Sequence, residues 1–311
     1  MTQILPYFGS GPYCFTNSLI SALGPDAPSP AIVETLTGSP FGFQWLAGRV
    51  PLFDPFGWDP DLGLDQALDL LGYTCRKHTS GSANEAMSVL RRHVRDGPVV
   101  VGPLDMGLLL HQPGSDRASG ADHFVTVLDV QHEEIIMHDP QGHPWATLPV
   151  QAFCRAWKAE EIGYGEAYAM RTDFQRVRSV TPLDALRQSL PYAAAWLNGC
   201  DLPVPPGTLG GRAGLEALAD RVEDRLSKDI QQLLIHFGLR VGTRRKADAA
   251  HALHLIGEDH AAQLLQEQAR TLGALQYPAI QGQGSHLATG FRRLGELHDK
   301  LTSALSPYAE A

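Results

Sequence analysis

The strongest constraint on the fold is a change of hydrophobic periodicity near residue 175. Before it, short β-branched runs bounded by Gly, Pro or Asp predict strands at 98–102, 123–130 and 134–138. After it, apolar residues recur every three or four positions, which predicts packed helices at about 183–197, 215–237, 247–272 and 285–305. Gly238 is interpreted as the end of the second helix. We therefore expect an α+β domain at 1–175, an all-α domain at 176–311, and a linker around 171–182.

Charge divides the chain at the same place. The 311 residues carry a formal net charge of −9. Up to residue 170 there are nine Lys and Arg against nineteen Asp and Glu, whereas the rest of the chain is nearly balanced. A chain with this balance lacks the basic face that nucleic-acid binding needs, so we expect no nucleic-acid partner.

The four cysteines argue against metal and disulfide scaffolds. Cys14, Cys75, Cys154 and Cys200 are far apart and form no Cys-x-x-Cys pair, which excludes a zinc ribbon and a disulfide-dense secreted scaffold. The N-terminus lacks a signal-peptide pattern and no run of 18 apolar residues occurs, so we expect a cytoplasmic protein with reduced thiols and no membrane partner. Cys75 in a polar turn, Cys154 in an amphipathic helix and Cys200 in a Pro/Gly-rich connection are interpreted as structural.

Cys14 is the exception because of its position at a predicted helix start. A Gly/Ser/Pro loop at 9–12 precedes it, and Leu19, Ile20 and Leu23 begin a helical face after it. The unbonded N–H groups and the dipole at that end of a helix favour a thiolate, which is the nucleophilic form of cysteine. The alternative is an ordinary buried cysteine.

A base and an orienting acid for this nucleophile are predicted on a hairpin. His123 opens one strand and Asp139 ends the next, so a turn near 131–133 brings them within hydrogen-bond reach. The chain order of Cys, His and acid is the order of papain-type enzymes. His138 and His143 are the competing bases, ranked lower because alternation turns His138 away from Asp139 and His143 follows a turn.

Several segments in order resemble a known family, butirosin biosynthesis protein H and its relatives. They are Tyr13-Cys14-Phe-Thr-Asn-Ser-Leu, Gly38-Ser-Pro-Phe-Gly-Phe43 with Gly48-Arg49, Gly97-Pro98-Val-Val-Val with Asp105, Asp122-His123-Phe-Val-Thr-Val, His138-Asp139-Pro140, and Gly242-Thr-Arg-Arg-Lys. The family consists of papain-like cysteine acyltransferases. They move an acyl group from an acyl carrier protein to an amine in natural product (antibiotic) biosynthesis.

The resemblance implies the fold, the reaction and the site. It implies a papain-like domain followed by a helical domain, with Cys14, His123 and Asp139 as the catalytic residues. It also implies Asn17, Gly42, Arg49 and Asp105 as substrate-binding residues, an acyl carrier protein and a small-molecule amine as partners, and no metal or other cofactor. Tyr13, Ser39 and Pro40 depart from the family pattern.

The second oxyanion donor, beside the Cys14 N–H, is left open. Phe8 stands where papain has its glutamine. Asn17 or an amide of the 38–42 loop are the alternatives.

Two other functions stay open at this level. A cysteine hydrolase, either a peptidase or a thioesterase, would use the same three residues and differ only in whether water or an amine reaches the acyl-enzyme. A binding module that has lost activity is a further alternative. Basic residues of the C-terminal half are expected either to dock an acidic carrier protein or to be solvated helix faces, namely Arg240, Arg244, Arg245, Lys246, Arg292 and Arg293.

Overall fold

The computed structural model describes residues 7, 12–200 and 202–309. Its helices are α1 (Cys14–Leu23), α2 (Pro30–Leu36), α3 (Pro60–Leu70), α4 (Ala83–His93), α5 (Val150–Trp157), α6 (Pro182–Gln188), α7 (Leu190–Asn198), α8 (Gly211–Asp224), α9 (Lys228–Leu233), α10 (Leu239–Leu255), α11 (Asp259–Ala274), α12 (Gln276–Ile280) and α13 (Gly284–Leu305). Its strands are β1 (Gln44–Leu46), β2 (Val50–Leu52), β3 (Tyr73–His78), β4 (Val99–Asp105), β5 (Asp122–Gln131), β6 (Glu134–Asp139), β7 (His143–Pro149), β8 (Met170–Arg176) and β9 (Leu209–Gly210).

These elements form two compact units that do not follow the order of the chain. The sheet unit combines Tyr13–Pro30 with Leu71–Ser179. The helical unit combines Ala31–Leu70 with the described residues from Val180 on. The division into consecutive domains at residue 175 stays a prediction, whereas contacts place residues 31–70 with the C-terminal helices.

The sheet unit is a six-stranded antiparallel sheet with helices packed against it. Its strand order is β3-β8-β4-β5-β6-β7. Strand alternation sends Val125 and Val127 into an apolar core shared with α4 and α5. Phe124 and Thr126, the alternate residues of β5, meet α1: Phe124 packs edge to face on Phe15, and the Thr126 hydroxyl donates to the Ser18 carbonyl at 3.0 Å.

The helical unit has its own core. A small antiparallel sheet of order β2-β1-β9 lies against α8. The aromatic residues Phe43, Trp45 and Phe53 pack with the apolar faces of α8, α10 and α13. This confirms the interpretation of the apolar stripes as core, and α13 matches the predicted helix at 285–305.

Three of the predicted helices are each divided in two. The stripe at 215–237 is broken after α8, and its second part runs through a five-residue π-helical segment, Leu234–Gly238, directly into α10. The prediction that Gly238 ends a helix is therefore wrong, since its φ of −53° and ψ of −54° are helical. The stripe at 247–272 is interrupted by Gly257, which takes a left-handed φ of +86° that glycine adopts without strain. Residues 183–197 form α6 and α7.

The architecture is mixed α and β, with antiparallel sheets and a helical C-terminal region, as the periodicity predicted. Cys154 lies buried in α5 and Cys200 follows α7, as expected, but the prediction of a turn at Cys75 is wrong because it lies within β3. No disulfide joins the four cysteines, all of which lie among the described residues. Over these same residues, no helix has the length and apolar character to cross a membrane.

Candidate active site

Cys14 is the first residue of α1, as its sequence context predicted. The first N–H groups of a helix have no acceptor within the helix, and the positive end of the dipole lies there. The first turn of α1 contains no acidic side chain that would offset this field. Cys14 is half-buried, so the thiol combines a favourable field with access from solvent.

The predicted hairpin brings His123 and Asp139 together. β5 and β6 pair with Thr126 opposite His138 and Gln131 opposite Glu134, with an irregularity in register between Val127 and Asp129. The predicted hydrogen bond is present: His123 Nε2 lies 2.7 Å from Asp139 Oδ1. Both residues are 2% exposed. The geometric part of the prediction is confirmed, and the catalytic assignment stays a proposal.

His123 also contacts Cys14, which completes a Cys-His-Asp chain. Burial by itself lowers the pKa of His123, but hydrogen bonds to Asp139 and to the Cys14 side chain, with the negative charge of both, raise that pKa to about 10. Because Nε2 faces Asp139, Nδ1 is the ring nitrogen left for the thiol. His123 is therefore held as an imidazolium beside Cys14 at neutral pH.

Asp139 supports this cation because four donors surround its carboxylate. The Gln141 N–H joins His123 at Oδ1, at 2.8 Å. His111 Nε2 at 2.7 Å and Gln112 Nε2 at 2.6 Å both reach Oδ2. Burial on its own raises the pKa of Asp139, but the hydrogen bonds from His111, His123 and Gln141 outweigh it and hold the pKa well below its ordinary range.

His111 and Gln112 were not found from the sequence. They lie in the connection between β4 and β5, where no periodicity marks which side chains turn inward. The only available signal is a histidine and a glutamine side by side in a Gly- and Pro-containing loop near a predicted base, which is a weak one.

The rings of the two competing histidines have other partners. The His138 Nδ1 atom accepts the Trp145 backbone N–H at 3.1 Å, and the two rings are in contact. His143 packs edge to face on His111, with ring centroids 5.5 Å apart. His143 pairs with Asp139 in the β6–β7 ladder, but neither of these two rings bonds to the Asp139 carboxylate in the described structure, so His123 is the better-supported base.

Two of the residues implied by the resemblance as substrate-binding lie in the sheet unit. Asn17 is one turn after Cys14 on α1, and its backbone N–H bonds to the Tyr13 carbonyl. Asp105 ends β4, and its buried carboxylate accepts the backbone N–H groups of Gly107, Ser119 and Gly120 and the Ser119 hydroxyl. Its contacts are thus with its own loop, and its role in substrate binding stays a prediction.

The other two, Gly42 and Arg49, belong to the helical unit. Arg49 is exposed in the turn between β1 and β2. Gly42 is packed so closely that an added Cβ would lie 2.3 Å from Pro55 Cα, which explains why the position needs glycine. In the 38–42 loop, one of the alternatives for the second oxyanion donor, the N–H groups of Gly38, Ser39 and Phe41 are used internally. Phe8, where papain has its glutamine, lies outside the described residues.

The Gly242-Thr-Arg-Arg-Lys segment has a structural explanation within α10. Arg245 Nε binds Glu34 at 2.8 Å and its Nη1 binds Asp54 at 3.1 Å. Lys246 donates to the carbonyl oxygens of Pro40 and Gly42. Both basic side chains thus bind residues of the 34–54 region inside the helical unit.

The expectation that these residues dock an acidic partner is wrong for two of them. Arg245 and Lys246 are 4% and 3% exposed, so neither is available to another protein. Arg292 and Arg293 each bind two carboxylates on the surface of the unit, and Arg244 binds Asp248. Their charge is largely compensated within the chain.

Similarity to a known protein extends over about half of the chain. Residues 205–306 match the YobF C-terminal domain family. The chain is also 36% identical over 165 residues to YobF of Bacillus subtilis (strain 168), a protein described as uncharacterized. That alignment covers 52% of this chain and 53% of YobF, so the chain spans about half the length of that relative. The YobF-like segment contains α8 to α13, and with them Arg245 and Lys246.

Metal-binding chemistry has no candidate ligand set in the part of the chain that the structure describes. No group of three or more His, Cys, Asp and Glu side chains there is arranged to hold a metal ion.

Proposed function

We propose that the protein is a papain-like cysteine acyltransferase that moves an acyl group from an acyl carrier protein thioester to an amine through a Cys14 acyl-enzyme. The observation that supports this best is the contact of His123 with both Cys14 and Asp139 at the N-terminus of α1. A nucleophile, a base and a group that orients the base are the parts that covalent acyl transfer needs.

In the first half-reaction, the thiolate of Cys14 attacks the carbonyl carbon of the thioester. The oxyanion of the tetrahedral intermediate is stabilised by the Cys14 backbone N–H at the helix end. The bond to the carrier thiol then breaks, and that thiol leaves with the proton from His123 Nδ1. The product is an acyl-Cys14 thioester with a neutral imidazole beside it.

In the second half-reaction, this neutral imidazole acts as the base. It accepts a proton from the attacking amine as the C–N bond forms, and the C–S bond to Cys14 then breaks. Cys14 leaves as a thiolate and His123 is again an imidazolium, so the site returns to its initial state. Asp139 keeps the ring oriented with Nε2–H toward its carboxylate throughout. Thioester exchange is close to isoenergetic, so the reaction as written uses no metal or nucleotide.

The acyl-enzyme is the intermediate to test. We expect the protein incubated with an acyl N-acetylcysteamine thioester to gain the mass of one acyl group in intact-mass spectrometry. Cys14→Ala should lose the adduct, whereas Cys200→Ala, which removes another half-buried thiol, should keep it. An adduct that survives in Cys14→Ala would contradict the covalent mechanism, and its absence from the wild type would favour a non-catalytic module.

The acceptor then distinguishes a transferase from a hydrolase. The acylated protein is mixed with a panel of primary amines, and the amide and the free acid are quantified by chromatography. We expect amide to form in proportion to the amine concentration. Rapid release of free acid whatever amine is present would instead identify a thioesterase or peptidase that uses the same three residues.

A further inference from the structure

His123 bonds to Oδ1 of Asp139 and leaves the second carboxylate oxygen, Oδ2, to other donors. His111 Nε2 and Gln112 Nε2 both point at Oδ2, at 2.7 and 2.6 Å. The Asp139 side chain is fully buried, His111 is nine-tenths buried and Gln112 is 6% exposed. Hydrogen bonds to an ionised carboxylate are about twice as strong as bonds between neutral groups, and burial strengthens them further.

The loop that delivers these two residues is anchored at both of its ends. Where the loop leaves β4 and returns to β5, the Asp105 carboxylate accepts hydrogen bonds from the N–H of Gly107 at one end and from the N–H groups of Ser119 and Gly120 at the other. Further in, a short 3-10 turn at Met106–Leu108 leads to Leu109, whose side chain is completely buried in the core of the sheet unit. His111 and Gln112 therefore approach Asp139 from a loop with few degrees of freedom.

In the part of the chain that the structure describes, the His111 ring makes one hydrogen bond, and it goes to Asp139. Its Nδ1 atom is buried with no hydrogen-bond partner among the described residues. A buried ring nitrogen without a partner costs free energy, so a ring placed this way needs a compensating interaction. The bond to the Asp139 carboxylate supplies it.

We propose that His111 and Gln112 are positioning residues of the active site. By donating together to Oδ2 they keep Asp139 ionised and turn its Oδ1 toward His123, and so they maintain the imidazolium of His123 beside Cys14. This inference rests on the proposed function for its catalytic meaning. Its physical content, control of the protonation of His123, is measurable without any acyl substrate.

The test replaces each donor with a side chain of similar size that lacks the N–H group. His111→Phe and Gln112→Met fill the same space, while His111→Gln restores an amide donor. His138→Phe is the matched control, because His138 is adjacent to Asp139 and bonds to Trp145 instead. The readouts are the titration of the His123 ring by NMR of labelled histidine, and the rate of Cys14 alkylation by iodoacetamide as a function of pH.

We expect His111→Phe and Gln112→Met each to lower the titration midpoint of His123 by about one pH unit, since a lost bond to a charged group changes a protonation equilibrium by about tenfold. Because the ring stays almost fully protonated at pH 7 in either case, the alkylation rate at pH 7 should stay close to that of the wild type, and the inflection of the pH–rate profile that follows His123 should move down by the same one pH unit. His111→Gln should recover most of both effects, and His138→Phe should show neither. Recovery by the amide distinguishes lost donation from lost packing.

The inference is overturned if both apolar variants keep the wild-type titration of His123 while Asp139→Asn shifts it. If one apolar variant fails to fold, as judged by circular dichroism, the other decides. If the predicted shifts appear but no acyl adduct forms on the wild type, the positioning inference stands and the proposed function fails. If the adduct forms but the titration of His123 does not shift, the proposed function stands and the positioning inference fails.

Discussion

At the scale of single residues, arginines that look equivalent in the sequence differ in how deeply the structure buries them. Arg245 and Arg293 both lie on helices of the C-terminal half, and both bind two carboxylates. Arg245 is 4% exposed and its partners Glu34 and Asp54 are buried, whereas the Arg293 side chain is 40% exposed. Water screens the second arrangement, so the two networks contribute differently to stability.

We predict that Arg245→Met destabilises the protein by about 3 to 5 kcal/mol, because it leaves two carboxylates buried without their cation. Arg293→Met, the matched control, should change the free energy of unfolding by at most about 1 kcal/mol. Urea denaturation followed by circular dichroism measures both. Equal effects from the two variants would show that the buried network is no more important than the surface one.

At the scale of elements, the close packing of the Phe53 side chain against the backbone of α10 explains why this helix needs a glycine. A Cβ on Gly242 of α10 would lie 2.6 Å from Phe53 Cγ, well inside van der Waals contact. This glycine lets α10 approach the segment after β2, and Arg245 and Lys246 lie three and four positions later, on the same face of the helix. The Gly242-Thr-Arg-Arg-Lys motif thus places the glycine that allows close packing and the two buried basic side chains on one face of α10.

We predict that Gly242→Ala lowers the free energy of unfolding by about 1 to 3 kcal/mol through overpacking. Gly273→Ala in α11 is the matched control, because its Cβ would meet Thr243 at an ordinary 3.4 Å. There, the better helix propensity of alanine should raise stability by up to about 1 kcal/mol. The comparison is made in urea, and a stabilising Gly242→Ala would contradict the packing argument.

At the scale of the whole molecule, each unit contains one buried basic side chain whose pKa is shifted. The two shifts have opposite directions, so the stability of the two units depends on pH in opposite ways. His123 in the sheet unit has a pKa raised to about 10 by Asp139 and Cys14 against the effect of burial. Its contribution to stability is fully present below its unfolded pKa of about 6.5 and is lost as the pH rises through 10. Burial, and after it the charge of Arg245, lowers the pKa of Lys246 in the helical unit to about 7. The cost of burying this amine therefore decreases as the pH rises from 7 toward the unfolded pKa of about 10.4.

We predict opposite pH dependences for two variants between pH 7 and 10. The stability advantage of the wild type over His123→Gln should decrease as the pH rises, and its advantage over Lys246→Met should increase. Both changes are expected to be on the order of a few kcal/mol, from the size of the pKa shifts. Denaturation at pH 7, 8.5 and 10 checks this, with His138→Gln as a control. Parallel slopes for the two variants would contradict the assignment.

Much of the candidate site was predictable because it depends on local patterns. The helix start at Cys14 follows from a loop before it and an apolar face after it. The hydrogen bond of His123 to Asp139 follows from a hairpin whose length can be counted. His111 and Gln112 could not be predicted, because their direction is set by the anchored loop and the core residue Leu109, with no repeating pattern along the chain.

The amino-acid sequence by itself determined part of the elements: three of the strands, the helical stripes, a cysteine at a helix start, and a histidine and an aspartate paired across a hairpin. These depend on interactions between near neighbours, which periodicity records. Only the tertiary structure decided which charges are buried, where the long stripes break, that residues 31–70 pack with the C-terminal helices, and how Asp139 is held from its second oxygen. Those outcomes depend on contacts between residues distant in the chain, such as Arg245 with Glu34 and His111 with Asp139, for which a single sequence contains no periodic signal.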